Sequence, residues 1–112
     1  MSVPLYEAEA ELLRALGHPV RIRVLEMLQD GPAPVCDLLA AVKVRPAHLS
    51  QQLTVLRKAG VVCSYRQGAA VIYRLSTPAV AELLAAGRGI LDAVLTDRDG
   101  LLAELRRSAA DR

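Results

Sequence analysis

Six basic side chains, Lys43, Arg45, Arg57, Lys58, Arg66 and Arg74, lie between Leu38 and Ala81, a window that contains no Asp or Glu. The whole chain carries a net charge of only +2, so the residues outside this window sum to −4. Positive charge gathered on a short stretch suits a polyanion, and nucleic acid is the first partner it implies. Within the window Leu49, Leu53 and Leu56 recur at i, i+4 and i+7, which at about 100° per residue forms one narrow apolar stripe. Ala47, His48, Gln51, Thr54 and Lys58 then fall on the opposite side, with Ser50 and Arg57 flanking it. That outward side is small, hydroxyl- or amide-bearing and nearly uncharged. A glutamine can bond adenine bidentately and small or methyl-bearing side chains admit thymine methyls, so this chemistry suits base edges. Arg66, Gln67 and Arg74 surround a Gln67-Gly68 turn, where the two arginines would reach phosphates.

The remaining reactive side chains are sparse. Cys36 and Cys63 stand far apart without a CxxC spacing, so reduced thiols are expected, foremost as packing residues. A redox or persulfide sensor and a metal ligand are the alternatives. His18, before Pro19, reads as a helix-capping or interface residue ahead of a ligand, and His48 as a DNA contact or a solvated residue. Asp97 and Asp99 read as a solvated turn or helix start, with a weak divalent-ion site shared across a dimer as the alternative. No Ser/His/Asp order, glycine-rich phosphate loop or paired carboxylate constellation stands out, so an enzyme is not expected.

Proline and glycine mark out the elements that must position these groups. Pro4, Pro19, Pro34, Pro46 and Pro78 each precede a helical apolar pattern, where a missing N–H costs nothing, and Gly17, Gly31 and Gly60 follow such patterns. Helices are predicted at about Pro4 to Leu16, Pro19 to Gln29, Pro34 to Val42 and Pro46 to Ala59. In the second, Ile22, Leu25 and Leu28 face inward while Arg21, Arg23 and Glu26 point away. The β-branched and aromatic runs Val61 to Arg66 and Ala70 to Leu75 predict a hairpin. A closing helix follows Thr77 as N-cap and extends to about residue 106, with Thr96 to Gly100 as the place for a break. The fold class is mainly α with a small β-hairpin (α+β), in the order α-α-α-α-β-β-α, as one domain over residues 1–112.

The first and last helices carry more apolar surface than a domain of this size needs. Leu5, Leu12, Leu13 and Leu16 line one side of the first; Val80, Leu84, Gly87, Leu91, Val94 and Leu95 run along the last. A homodimer interface built from residues 4–16 and 78–106 is expected, around a core of residues 19–75. Hydrophobic residues make up 53% of the chain, enough for a folded core, but no stretch reaches the roughly 18 to 20 apolar residues of a membrane span. A cytoplasmic protein without a membrane partner is the expectation.

Several ordered segments sharpen this reading. Leu16-Gly17-His18-Pro19-Val20-Arg21-Ile22-Arg23-Val24-Leu25 resembles the L-x-x-P-x-R-x-x-I-L opening of the ArsR/SmtB repressor family. Leu49-Ser50-Gln51-Gln52-Leu53 through Leu56-Arg57-Lys58-Ala59-Gly60-Val61-Val62 is similar to its S-x-H-L-x-x-L-R-x-A-G-L-V, although Gln52 stands where a His is usual. Arg66-Gln67-Gly68 and Val71-Ile72-Tyr73-Arg74-Leu75 match its R-x-G wing and Y-x-L strand. The resemblance spans roughly Leu5 to Leu95. It implies a winged helix-turn-helix, a bacterial homodimeric regulator and repressor, with the fourth helix in the major groove of an inverted-repeat operator and Ser50 and Gln51 at base-reading positions.

The resemblance also implies a metal site in many relatives, with nickel or zinc as candidates, yet both of the family's sites are incomplete here. The C-V-C-D-L motif is matched by Pro34-Val35-Cys36-Asp37-Leu38, which keeps one thiolate, and the closing helix has Asp97 and Asp99 but no histidine. Cys36, His18, Asp97 and Asp99 are the weak metal candidates. The competing function is a winged-helix module that binds protein and acts with a separate regulatory partner carrying the sensor.

Overall fold

The computed structural model describes residues 2–110, which form two compact units divided after Ala81. The first unit contains α1 (Leu5–Leu16), α2 (Pro19–Leu28), β1 (Ala33–Pro34), α3 (Val35–Val42), α4 (Pro46–Lys58), β2 (Val62–Gln67) and β3 (Ala70–Leu75). Helix α5 (Ala79–Ala110) begins at the end of that unit and makes up the second. The mainly α architecture with a small sheet is the one the sequence predicts.

Helix starts follow the proline pattern. Pro19 and Pro46 occupy the first turns of α2 and α4, while Pro4 and Pro34 stand at the N-cap positions of α1 and α3. His18 caps α2 through its ring, Nδ1 accepting the Val20 N–H at 3.1 Å, and Thr77 Oγ1 accepts the Ala79 N–H at the start of α5. Helix α4 ends in a Schellman arrangement: Val61 N–H donates to Leu56 O and Gly60 N–H to Arg57 O, with Gly60 at φ +80°. This turn sends the chain from α4 straight into β2. Gly17 does not share that geometry, since its φ is −79°.

The core of the first unit is aliphatic. Val24, Leu25 and Leu28 of α2 meet Leu38 of α3, the Leu49, Leu53 and Leu56 stripe of α4, and Val61, Val62, Ile72 and Tyr73 from the sheet. Leu16 and Val80 complete this core at 5% exposure each, so these two residues, expected on a dimer face, are packed within one chain. The α1 and α5 periodicities cannot separate an inner edge of an apolar stripe from an outer one, so Leu16 and Val80 look in sequence like their exposed neighbours.

Three features differ from expectation. The sheet has three strands in the order β1-β3-β2, because Ala33 and Pro34 pair antiparallel with Tyr73 and Ile72. A two-residue strand containing proline has no pattern of its own, and edge placement is what tolerates the missing N–H. The hairpin turn is Gly68-Ala69, one residue later than Gln67-Gly68, since Gln67 pairs with Ala70. Gly68 has φ +62° and Ala69 is not left-handed, the pattern of a type II′ turn with glycine first. Helix α5 is continuous through Thr96 to Gly100 and reaches Ala110, beyond the expected end near residue 106.

Candidate nucleic-acid interface

Burial of Leu49, Leu53 and Leu56 fixes the rotation of α4 and turns Ala47, Ser50 and Gln51 outward, all exposed. The orientation is reinforced by Arg21, which was expected to point away from the protein. Its Nε donates to Gln52 Oε1 at 2.8 Å and its Nη1 donates to Ala15 O at 2.7 Å and Arg14 O at 3.4 Å. One guanidinium thus holds α4 and also bonds the end of α1, supplying a donor to Ala15 O and a second, longer one to Arg14 O, which already accepts from Gly17 N–H. Gln52, the departure from the family's usual His, is the α4 acceptor in this bridge. Arg21 is the main positioning residue that periodicity missed; its place in the P-x-R motif was the available signal.

Arg45 stands at the N-cap position of α4 and is exposed, after a turn in which Lys43 takes a left-handed φ of +55°. Arg57, Lys58, Arg66 and Arg74 are exposed too, and none of the window's six cations forms a salt bridge among the described residues. Lys58 lies twelve residues beyond Pro46, about 18 Å along the helix axis, beside Glu11 and Leu12 of α1. It is therefore remote from the end of α4 that carries Ala47, Ser50 and Gln51.

Two residues of the expected α4 face, and one of the wing, behave differently from the sequence reading. Thr54 is half-buried and its Oγ1 donates to Ser50 O at 2.9 Å, a local bond that occupies the hydroxyl proton. His48 is exposed but packs edge-to-face against His18, ring centroids 6.0 Å apart, at the start of α2. Arg74 does not flank the hairpin tip. It pairs with Cys63, on the sheet face opposite to that of Arg66, and lies four residues, about 13 Å, down β3 from Ala70. Arg66 pairs with Val71 and so shares the face of Val71 and Tyr73, the side turned toward α3 and α4, while Gln67 closes the hairpin at its tip. Arg66 and Gln67 are thus the exposed polar residues at the tip of the wing, on opposite faces of the hairpin.

Most of the exposed large apolar side chains lie along α1 and along α5. Leu13 is 56% exposed, with Leu5 and Leu12 also open; on α5 Leu91 is 57% exposed, with Gly87, Val94 and Leu95 open and Leu84 half-buried.

Among the described residues, no three or more His, Cys, Asp or Glu side chains gather as a metal site. Cys36, expected foremost as a packing thiol, is exposed on α3, its Sγ 3.8 Å from Asp37 Oδ1, and Cys63 is half-buried on β2. His18 uses Nδ1 as a cap, and Asp97 and Asp99 are exposed within the unbroken α5. These residues do not fit a metal centre within one chain. No helix among the described residues is long and apolar enough to cross a membrane.

A helix pair presenting the second helix, followed by a hairpin wing, defines a winged helix-turn-helix protein. Residues 18–64 match the bacterial regulatory protein arsR family. Over 106 residues the chain is 48% identical to the uncharacterized HTH-type transcriptional regulator Rv0081 of Mycobacterium tuberculosis, covering 94% of this chain and 93% of that one. The crystal structure of Rv0081 superposes with a TM-score of 0.80 at 49% identity, covering 87% of this chain and 98% of that chain. The transcriptional repressor BigR from Xylella fastidiosa gives a TM-score of 0.70 at 35% identity, covering 76% and 87% of the two chains. A homodimeric winged helix-turn-helix DNA-binding domain, Mb0332 from Mycobacterium bovis, gives 0.73 at 27%, covering 81% and 84%. The chain belongs to the arsR family, whose members are DNA-binding transcriptional regulators and not enzymes.

Proposed function

We propose that this regulator is a cytoplasmic repressor that binds an inverted-repeat operator as a homodimer. The carrying observation is the rotation of α4: its leucine stripe is buried, Arg21 ties Gln52 inward, and Gln51 projects from the opposite side with Ser50 exposed at its flank. Ser50 and Gln51, beside Ala47, read base edges in the major groove. Arg45, Arg57, Arg66 and Gln67 contact the backbone, and Lys58 adds a peripheral phosphate contact. The open faces of Leu5, Leu12 and Leu13 and of Leu91, Val94 and Leu95 pair with those of a second copy, which makes residues 4–16 and 78–106 the dimerisation helices around the 19–75 core. Two-fold pairing sets the α4 helices about 34 Å apart, one turn of duplex. The similarity to BigR, a transcriptional repressor, and to Mb0332, a homodimeric DNA-binding domain, supports repression and homodimerisation by analogy.

A nickel or zinc signal would require ligands from both subunits, since one chain's described residues offer no group of three. Selection of bound duplexes from a random pool, followed by footprinting and a salt titration, tests the proposal. An inverted repeat with half-sites about 10 base pairs apart and a steep loss of affinity with salt is expected. A flat salt response with no enriched sequence would reject operator binding and favour the protein-binding module with a separate regulatory partner.

A further inference from the structure

A cavity of about 300 Å³ opens between α3, the middle of α4 and β3. Val35, Leu39, Leu53 and Val71 make its walls apolar. Arg57, Ser50 and Tyr73, each bearing a hydrogen-bond donor, line the same space, together with Thr54, whose hydroxyl is already bonded to Ser50 O. Tyr73 is 6% exposed as a whole, and its hydroxyl makes no hydrogen bond within the chain; no buried side-chain oxygen among the described residues lacks a partner, so this hydroxyl keeps access to solvent and is free to bond a guest. Arg57 forms no salt bridge there either, and no acid lines the cavity.

We propose that this cavity is an effector site for a small amphipathic monocarboxylate. A carboxylate is the matching guest, because a guanidinium fork binds it bidentately and the neutral hydroxyls of Ser50 and Tyr73 can both donate to its oxygens. The volume lies at the low end of small-molecule sites, which suits a guest of about ten non-hydrogen atoms with one short apolar body. An occupant draws Arg57 and Ser50 away from the DNA-facing surface and wedges α3 and β3 apart beside α4. Its consequence is weaker operator binding. That consequence rests on the proposed operator function, whereas the binding site itself does not.

The test uses phenylacetate and octanoate as probes, with phenylacetamide and octanamide as neutral controls. Binding to the full chain is followed without DNA by amide chemical shifts in two-dimensional NMR. Saturable shifts centred on Leu39, Leu53 and Val71 are expected, with the acids binding about tenfold more tightly than their amides, the effect of one charge-assisted pair. Tyr73→Phe removes a hydroxyl that bonds nothing else, so its fold and its DNA affinity without acid should match the parent. Its affinity for the acids should fall about threefold to tenfold. Leu39→Phe, which fills the space, should abolish the shifts. Unsaturable shifts, equal affinity for acid and amide, or parental acid affinity in Tyr73→Phe would each overturn the site. Saturable binding that leaves DNA affinity unchanged would overturn the regulatory consequence alone.

Discussion

Replacing Arg21 with methionine keeps most of the side-chain volume but removes every donor of the bridge between α1 and α4. Two good charge-assisted hydrogen bonds are lost, to Gln52 Oε1 at 2.8 Å and Ala15 O at 2.7 Å, with a longer one to Arg14 O at 3.4 Å. Hydrogen bonds to charged groups contribute about 1.5–3 kcal/mol each, but Arg21 is half-buried, so water recovers part of the loss. A net cost of about 2–3 kcal/mol follows, a large share of a typical stability of roughly 5–15 kcal/mol. The melting temperature should fall by on the order of 10 °C. Urea denaturation at one fixed subunit concentration is the assay, since self-association raises apparent stability with concentration. The pairing itself is isolated by a double-mutant cycle with Gln52→Ala, for which a coupling of about 1 kcal/mol is expected. The cycle also has a functional arm: freeing Gln52 loosens the seat of α4, so operator affinity should fall even though neither residue faces DNA. Additivity within about 0.5 kcal/mol would show that the bridge does not hold α4, and the positioning argument would fail.

Four further outcomes test other parts of the molecule. Gln51→Ala should cost about 1–3 kcal/mol on the selected operator and almost nothing on random duplex, measured by fluorescence anisotropy; equal losses on both would exclude direct readout. Arg66→Ala should weaken binding to every sequence alike and make the salt slope shallower by about one, so an unchanged slope removes the wing from phosphate contact. Leu91→Glu should shift sedimentation equilibrium toward monomer and reduce operator affinity, because Leu91 is more than half exposed in one chain; a variant still dimeric at micromolar concentration would take this residue out of the interface. Gly68→Val should destabilise the hairpin by at least about 1 kcal/mol, since a β-branched side chain is strained at φ +62°; parental stability would show that the turn readily adopts another form.

The helical segments were legible because their signals are local. Proline at helix starts, the Schellman glycine Gly60, and leucines at i, i+4 and i+7 depend on neighbours a turn away, and those same leucines determine which side of α4 is outward. The exposure of Ser50 and Gln51, the proposed base-reading pair, follows from that rotation alone. Other features required partners distant in the chain. Strand β1 exists only because β3 offers Ala33 and Pro34 an edge; Arg21 turns inward because Ala15 and Gln52 converge on it. Strand register sent Arg74 to the base of the wing, and packing drew Leu16 and Val80 into the core from stripes that looked uniform in sequence. The donor-bearing residues of the proposed carboxylate cavity come from α4 and β3, and no linear motif could join them. A sequence encodes the angular order of side chains along each element, because backbone geometry repeats. Which element then faces another depends on long-range contacts, and only the folded chain decided where the charged and hydroxyl groups meet.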